Sequence, residues 1–219
     1  MLKLQLPKAA GTNFRILCLG SHCDDIEIGC GGTILRLLAE HSNATVVWVV
    51  FSSTPMRAEE AKRSAESFLA KAGKKEILIK EFKDGFLPYQ GAEVKGFFEE
   101  LKQKVSPDLI FTHYRNDLHQ DHRLVCELTW NTWRDHLILE YEIPKYDGDF
   151  GAPNCFVELD DAFCRDKVRY VVDSFFSQRE KHWFSEETFR AVLRLRGMEC
   201  HSVSGYAEAF YSRKLVLGP

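Results

Sequence analysis

The sequence predicts an α/β fold in which helices flank both faces of a mostly parallel sheet. Short apolar runs alternate with segments of helical periodicity along the chain, and this alternation is typical of parallel sheets. Two of the apolar runs lead directly into clusters of polar residues. The 219 residues contain no linker that would separate two halves. We therefore expect one domain over residues 1–219, with a less regular C-terminal part.

The individual elements follow from the apolar periodicity. The run at residues 14–19 ends at Gly20 and is typical of a buried strand. Further strands are predicted at residues 44–51, 76–79, 109–112 and 139–143. Apolar residues at helical spacing predict helices at residues 31–41, 57–72, 94–105, 124–133, 160–176 and 185–197. Residues 144–153 are expected to form a loop, and residues 206–216 are left open between loop and strand. The resulting architecture is Rossmann-like.

Composition and charge argue against several classes of protein. The net charge of −3 indicates no basic surface, so no nucleic-acid partner is expected. Apolar runs such as residues 45–51 are too short to span a bilayer, and residues 1–11 lack the apolar core of a secretion signal. The seven cysteines include no CxxC pair, which favours a reducing compartment. We therefore expect a cytoplasmic protein without membrane insertion.

Two polar clusters lie where an open parallel sheet binds ligands, beyond the carboxyl ends of its strands. Residues 21–27 follow the first strand and residues 113–122 follow the fourth. The first and fourth strands of such a sheet can be neighbours, so the two clusters can meet. Either cluster alone would be explained more simply as a solvated loop, but two clusters at strand ends favour a functional site.

The two clusters together offer the donors of a catalytic metal site. They contain His22, Asp25, His119 and His122, and two histidines with one carboxylate fill the three protein positions of a catalytic zinc. Asp24 adjoins Asp25 and is suited to take a proton from a water molecule. A further histidine can serve a leaving amine, with an acidic neighbour to orient it.

These clusters also resemble the two signatures of a known family. Residues 22–33, HCDDIEIGCGGT, resemble the LmbE-like (PIG-L) pattern H-P-D-D-E-E-L-G-x-G-G-T, and residues 119–122, HQDH, resemble its second signature H-x-D-H. Residues 57–73 resemble the next helix of the family, and weaker family features lie at residues 177–178 and 205–210. Cys23, Ile26 and Gln120 depart from the usual residues, but none of them replaces a proposed ligand or base. Cys23 is expected to be a packing thiol.

The resemblance implies a zinc-dependent deacetylase acting on an N-acetylated amino sugar or sugar conjugate similar to N-acetylglucosamine. It implies a set of roles: metal ligands His22, Asp25 and His122, general base Asp24, general acid or oxyanion donor His119, and Asp121 as the residue that positions His119. Zn²⁺ is the expected ion, and another divalent metal such as Fe²⁺ would suit the same donors. Family members often assemble, so a homo-oligomer is expected as well.

Several further residues have two interpretations. Arg57 is predicted to bind substrate, with an ion pair to Glu60 as the alternative. Asp117 is predicted to bind a sugar hydroxyl, or else to hold its loop. His113 is expected to be structural, and Glu208 is predicted to reach the site. Gly29, Gly31 and Gly32 do not have the G-x-G-x-x-G spacing of a dinucleotide site and are expected to allow close packing.

Two other functions compete with the deacetylase. A nucleotide-dependent transferase or oxidoreductase would use the glycine segment but would leave the histidines without a role. A non-catalytic sugar-binding or regulatory protein on the same scaffold would be expected to lack a ligand or the base. The sequence retains all of them, which favours the enzyme.

Overall fold

The computed structural model describes residues 3–6 and 13–216, so most of the N-terminal segment in which no secretion signal is expected lies outside it. The described residues form seven strands: β1 Arg15–Gly20, β2 Thr45–Ser52, β3 Lys74–Phe82, β4 Leu109–His113, β5 Leu137–Tyr141, β6 Cys155–Leu159 and β7 Tyr206–Tyr211. They build one sheet in the order β3-β2-β1-β4-β5-β7-β6. Strands β1 to β5 are parallel, whereas β7 is antiparallel to both β5 and β6. The expected mostly parallel sheet is confirmed.

Six helices cover the two faces of this sheet: α1 Asp25–Glu40, α2 Pro55–Phe68, α3 Gly91–Lys104, α4 Gln120–Thr132, α5 Asp161–Ser174 and α6 Glu186–Glu199. Side chains alternate along β1, with Ile16 and Cys18 facing the core under α1, α2, α5 and α6. Leu17 and Leu19 face the opposite core under α3 and α4. Among the described residues, no helix is long and apolar enough to cross a membrane.

Strands β1 and β4 lie side by side at the point where the direction of strand order reverses. The chain continues from β1 to β2 on one side, while β4 pairs with β1 on the other. The loops that follow these two strands therefore diverge around a crevice, which is where open α/β sheets bind ligands. The predicted neighbourhood of the first and fourth strands is confirmed.

The main difference from the predicted elements is the start of α1. The helix begins at Asp25 rather than at residue 31, so Gly29, Gly31 and Gly32 lie inside it. Glycine weakens a helix intrinsically, but here tertiary packing requires it. A Cβ on Gly29 would lie 2.2 Å from the Tyr141 ring, and one on Gly32 would lie 2.4 Å from a Leu159 methyl carbon. The glycines let α1 approach the sheet closely.

The C-terminal elements hold the middle of α1 through a buried ion pair. The Glu208 carboxylate accepts hydrogen bonds from the backbone N–H groups of Gly32 (2.8 Å) and Thr33 (2.6 Å) and pairs with Lys167. The Lys167 Nζ also donates to the Ile28 carbonyl oxygen at 2.6 Å. The prediction that Glu208 reaches the site is therefore wrong, because its carboxylate is used inside the helix–sheet packing.

Substitution of the helical glycines tests this packing. We expect Gly29→Ala to lower the free energy of unfolding by about 1–3 kcal/mol, because the added methyl group overpacks the Tyr141 contact. Gly96 in α3 has no atom within 4 Å of its Cβ position, so Gly96→Ala should raise stability by about 0.5–1 kcal/mol. Urea denaturation of both variants measures the difference. Equal effects of the two substitutions would contradict the close approach of α1 to the sheet.

Candidate active site

An open cleft of about 290 Å³ lies at the carboxyl ends of β1 and β4. Its floor contains five residues of the two motifs, His22, Asp24, Asp25, His119 and His122. Its walls come from α2 and from loops after β3, β5 and α5. The lining residues used below are His22, Asp24, Asp25, Arg57, Asp84, His119, His122, Lys145, Tyr146, Asp147, Lys181 and Trp183. The structure thus brings the two motifs into one cleft.

The first motif is a short turn that leads from β1 into α1. The Ser21 carbonyl oxygen accepts the backbone N–H of Ser52 at 2.8 Å, which holds the turn against β2. Asp25 is the first residue of α1, and its Oδ2 accepts the backbone N–H of His22 at 2.6 Å. Asp24 occupies the N-cap position of the helix, yet its side chain makes no capping hydrogen bond. That carboxylate is consequently free to face the cleft.

Three side-chain atoms from the two motifs converge on the cleft floor. The distances are 3.1 Å from His22 Nδ1 to His122 Nε2, 3.4 Å from His22 Nδ1 to Asp25 Oδ2, and 3.6 Å from His122 Nε2 to Asp25 Oδ2. We call these atoms the ligand triangle. Zinc bonds of about 2.0–2.1 Å in tetrahedral geometry place neighbouring ligand atoms about 3.3–3.4 Å apart. The triangle therefore fits three protein ligands of one zinc-sized ion.

In both histidines of the ligand triangle, the ring nitrogen outside the triangle contacts a carboxylate. His122 Nδ1 lies 2.9 Å from Asp117 Oδ2. His22 Nε2 lies 3.0 Å from Asp84 Oδ1 and 3.3 Å from Asp121 Oδ2. A metal-binding histidine usually donates its other ring N–H to such a partner, which fixes the tautomer and the ring orientation. The second nitrogen of each ring thus has the partner that a metal ligand requires.

Asp117 does not face the cleft as predicted. It is only 2% exposed. Its Oδ1 accepts the backbone N–H of His119 at 2.8 Å, and its Oδ2 contacts His122 and the Lys145 ammonium group. The predicted contact with a sugar hydroxyl is therefore wrong, because every contact of this carboxylate is internal. The alternative interpretation, that Asp117 holds its loop, describes the structure.

The side chain of Asp121 does not orient His119. Its carboxylate accepts the backbone N–H groups of Gly85 (2.8 Å) and Leu87 (3.1 Å) and approaches His22. Only the Asp121 backbone N–H reaches His119, by donating to His119 Nδ1 at 3.2 Å. The direction of the Asp121 side chain in the first turn of α4 explains the difference. The carboxylate instead ties the loop after β3 to the floor of the cleft.

The two adjacent carboxyl groups, Asp24 and Asp25, have opposite electrostatic environments. Burial raises the pKa of Asp24, and the Arg57 guanidinium, whose Nη2 is 2.9 Å from Asp24 Oδ1, only partly offsets this. Burial also opposes ionisation of Asp25, but the nearby histidines, with His122 the strongest, hold its pKa well below the usual range. Paired carboxyl groups with diverging pKa values are typical of acid–base sites.

The two histidines of the ligand triangle also differ. Burial lowers the pKa of His22, but Asp25, Asp121 and Asp84 outweigh it and hold that pKa well above its ordinary value. For His122, burial together with a neighbouring histidine lowers the pKa to about 3. The surroundings of His22 therefore favour positive charge on the cleft floor, while His122 is neutral, as a metal ligand must be.

His119 is half-buried beside the ligand triangle, and its backbone contacts fix its tautomer. Its Nδ1 accepts the Asp121 backbone N–H and caps the N-terminus of α4. Burial and then the charge of His22 lower its pKa. A neutral ring that accepts at Nδ1 carries its proton on Nε2. His119 therefore presents an N–H donor.

The structure also shows the contacts of Arg57 and Cys23. Arg57 pairs with Asp24 and not with Glu60, whose carboxylate binds the Ser177 backbone N–H and hydroxyl. Cys23 donates to the Ser52 carbonyl oxygen at 3.6 Å, and burial raises the pKa of this thiol to about 12. Such a protonated thiol packs rather than binds metal.

Sequence reasoning missed Asp84 and Lys145, which come from the loops after β3 and β5. Neither lies near a motif in the chain. Their only sequence signal is their place after a predicted strand, since all such loops meet at one edge of a parallel sheet. Asp84 and Asp121 also form a potential metal-binding set with His22, and two sets that include His119 or His113 share His122.

The comparisons with known proteins agree with this geometry. The family model described as "PIG-L: GlcNAc-PI de-N-acetylase" matches residues 17–133, more than half of the chain and both motifs. The chain belongs to the PIG-L family. Strands β5, β6 and β7 and helices α5 and α6 of this PIG-L protein lie beyond the matched segment. A search of curated protein sequences found no match.

Solved structures share the fold over most of the chain. The conserved protein TT1542 from Thermus thermophilus is 22% identical, with a TM-score of 0.72 over 93% of this chain and 96% of that one. N,N'-diacetylchitobiose deacetylase from Pyrococcus horikoshii is 21% identical, with a TM-score of 0.66 over 90% and 83%. GalB, the 4-carboxy-2-hydroxymuconate hydratase from Pseudomonas putida KT2440, is 16% identical, with a TM-score of 0.74 over 94% and 98%. At these identities the likeness establishes the fold.

The buried carboxylate behind His122 provides a test of the site. We expect Asp117→Asn to weaken zinc binding by about 10- to 100-fold, because the amide keeps the shape but loses the charge that supports His122. Competition with a chromophoric chelator measures the affinity. Asp147→Asn is the matched control, since Asp147 lines the same cleft but is exposed. Equal affinities of the two variants would contradict the supporting role of Asp117.

Proposed function

We propose that this PIG-L protein is a metal-dependent hydrolase that acts as one domain and removes the acetyl group from an N-acetylated amino sugar or sugar conjugate. The observation that carries the proposal is the ligand triangle beside the paired carboxyl groups of Asp24 and Asp25. Family membership supports the deacetylase class. The chemistry of de-N-acetylation needs an activated water, a base and a group that stabilises an oxyanion.

His22, Asp25 and His122 would hold the metal, and two imidazoles with one carboxylate favour zinc while accepting other divalent ions such as Fe²⁺. A metal bound there would supply Lewis acidity for the substrate carbonyl and would lower the pKa of a bound water towards neutrality. The carboxylates behind His22 and His122 would keep both rings oriented. This support makes the site rigid before substrate arrives.

Asp24 is suited to be the general base. Arg57 engages its Oδ1, which favours the ionised carboxylate and leaves Oδ2 to take the proton from the attacking water. The raised pKa of Asp24 brings its basicity closer to neutral pH than that of an ordinary aspartate. Asp24 can then return the same proton to the departing amine. Arg57 would also present its remaining N–H groups to the substrate.

His119 is better suited to stabilise the oxyanion than to act as the general acid. Its Nδ1 is occupied by a backbone N–H and its pKa is lowered, so the ring offers one neutral Nε2–H donor. Such a preorganised donor stabilises developing negative charge on the carbonyl oxygen. The proton for the amine then comes from Asp24.

The walls of the cleft suit a sugar. Tyr146 is 74% exposed and Trp183 is half-buried, so aromatic surface is open to a sugar ring. The polar groups of Lys181 and Asp147 lie on the same walls. The hydratase GalB shares this fold, so the fold alone does not distinguish hydration from amide hydrolysis. The family match favours de-N-acetylation.

Metal content and acetate release together test the proposal. The wild type should bind about one zinc per chain and release acetate from N-acetylglucosamine or one of its glycosides. His22→Ala should lose the metal. Asp24→Asn should keep the metal but lower kcat by about 10²- to 10⁴-fold, since only the base is removed. His136→Ala is the control, because His136 lies just before the amino end of β5, whereas the cleft lies at the carboxyl ends of the strands.

The opposite pattern of results would point elsewhere. Metal binding that survives in His22→Ala would remove this ligand set. A wild type that binds metal but releases no acetate from any N-acetylated sugar would leave the non-catalytic binding protein as the better account.

A further inference from the structure

The ladder between β1 and β4 ends before the two motifs begin. The last paired residues are Cys18 and Phe111. Beyond this pair, a side-chain hydrogen bond links the ends of the two chain segments. His113, the last residue of β4, accepts the Ser21 backbone N–H on its Nε2 at 2.9 Å.

The His113 ring is held rigidly in the position from which it makes this contact. It is fully buried, and it stacks on the His122 ring with centroids 3.9 Å apart and planes 15° apart. The Tyr141 ring lies against it at 4.8 Å. His113 therefore contacts one ring of the ligand triangle directly while it binds the turn that carries the other two ligands.

The same nitrogen lies close to a metal-ligand atom but is not suited to be a ligand itself. His113 Nε2 is 3.2 Å from Asp25 Oδ2, and the set Asp25, His113 and His122 has metal-binding spacing. However, the lone pair of Nε2 already accepts the Ser21 N–H, and one lone pair does not also bind a metal ion.

His113 has one ring nitrogen that is buried without a partner, and this cost in stability indicates that the acceptor on its other nitrogen, Nε2, is needed. Among the described residues, His113 Nδ1 has no hydrogen-bond partner. A buried unpaired nitrogen destabilises a protein, and an apolar ring would avoid that penalty. The compensating contact is the one from Nε2 to Ser21. Ser21 is held from the other side by Ser52 of β2, so the two bonds fix the turn in place.

From these contacts we infer that His113 is a positioning residue, which braces the His22–Asp25 turn against β4 and thereby sets the spacing of the ligand triangle. This inference rests on the proposed function, because the triangle matters only if it binds a metal. The last residue of β4 would thus hold the turn in place, in addition to the proposed ligands and base of the two motifs.

Two substitutions of His113, one that keeps a hydrogen-bond acceptor and one that does not, test whether this residue braces the turn. His113→Gln places a carbonyl oxygen within reach of the Ser21 N–H, whereas His113→Met has similar length without a strong acceptor. We expect the Met variant to bind zinc about 10- to 100-fold more weakly than wild type, and the Gln variant to recover most of that loss. Zinc affinity is measured by chelator competition on metal-free protein.

Thr112→Val controls for lost stability. Thr112 is the neighbouring buried residue, and its hydroxyl lies 3.0 Å from that of Thr129, so Val removes a buried hydrogen bond away from the site. Its melting temperature should fall while zinc affinity stays at the wild-type value. If His113→Met binds zinc as tightly as wild type, or if the Gln and Met variants lose affinity equally, the brace is overturned. A wild type that binds no zinc overturns the proposed function as well.

Discussion

The structure depends on one electrostatic constraint, the convergence of three electron-pair donors on a buried floor. His22 Nδ1, Asp25 Oδ2 and His122 Nε2 lie within 3.1–3.6 Å of one another. Atoms of this kind repel unless a proton or a cation lies between them. Burial removes the water that would otherwise screen the repulsion. The protein around them must therefore force them together, and it does so with backbone contacts, carboxylates and ring stacking.

The same constraint explains why the four aspartates at the site have different contacts. Asp25 is surrounded by histidines, which hold its pKa low and favour its ionised form. Asp24 is one residue earlier and outside the helix, so it faces Arg57 and the open cleft. One peptide unit thus separates a proposed ligand from a proposed base. The carboxylates of Asp117 and Asp121 are used instead to hold histidines and loops.

The sequence predicts the floor of this site well, because His22, Asp25 and His122 follow strands that parallel topology brings together. It does not predict which side-chain partner each polar residue chooses. Asp117 and Asp121 lie in the same ten-residue segment, and only their side-chain directions decide that one binds His122 and the other binds the Gly85 loop. Such directions depend on the packing of the loop, which periodicity does not report.

The boundaries of α1 and the strand β6 escaped prediction for related reasons. Three glycines between residues 29 and 32 lower helix propensity, yet close contacts with Tyr141, Phe68 and Leu159 require them within the helix. Strand β6 is five residues long and gains its partners from β7, about fifty residues later in the chain. In both cases tertiary contacts overrode the local signal.

The central claim is that the three atoms of the ligand triangle hold one metal ion. Anomalous diffraction at the zinc edge, from crystals of the zinc-loaded protein, tests it most directly. We expect a single strong peak in contact with His22, Asp25 and His122, with Asp24 near it but not bound. A peak between His22, Asp84 and Asp121, a peak bound by His113, or a crystal with no zinc at the cleft would show that the triangle is not the metal site.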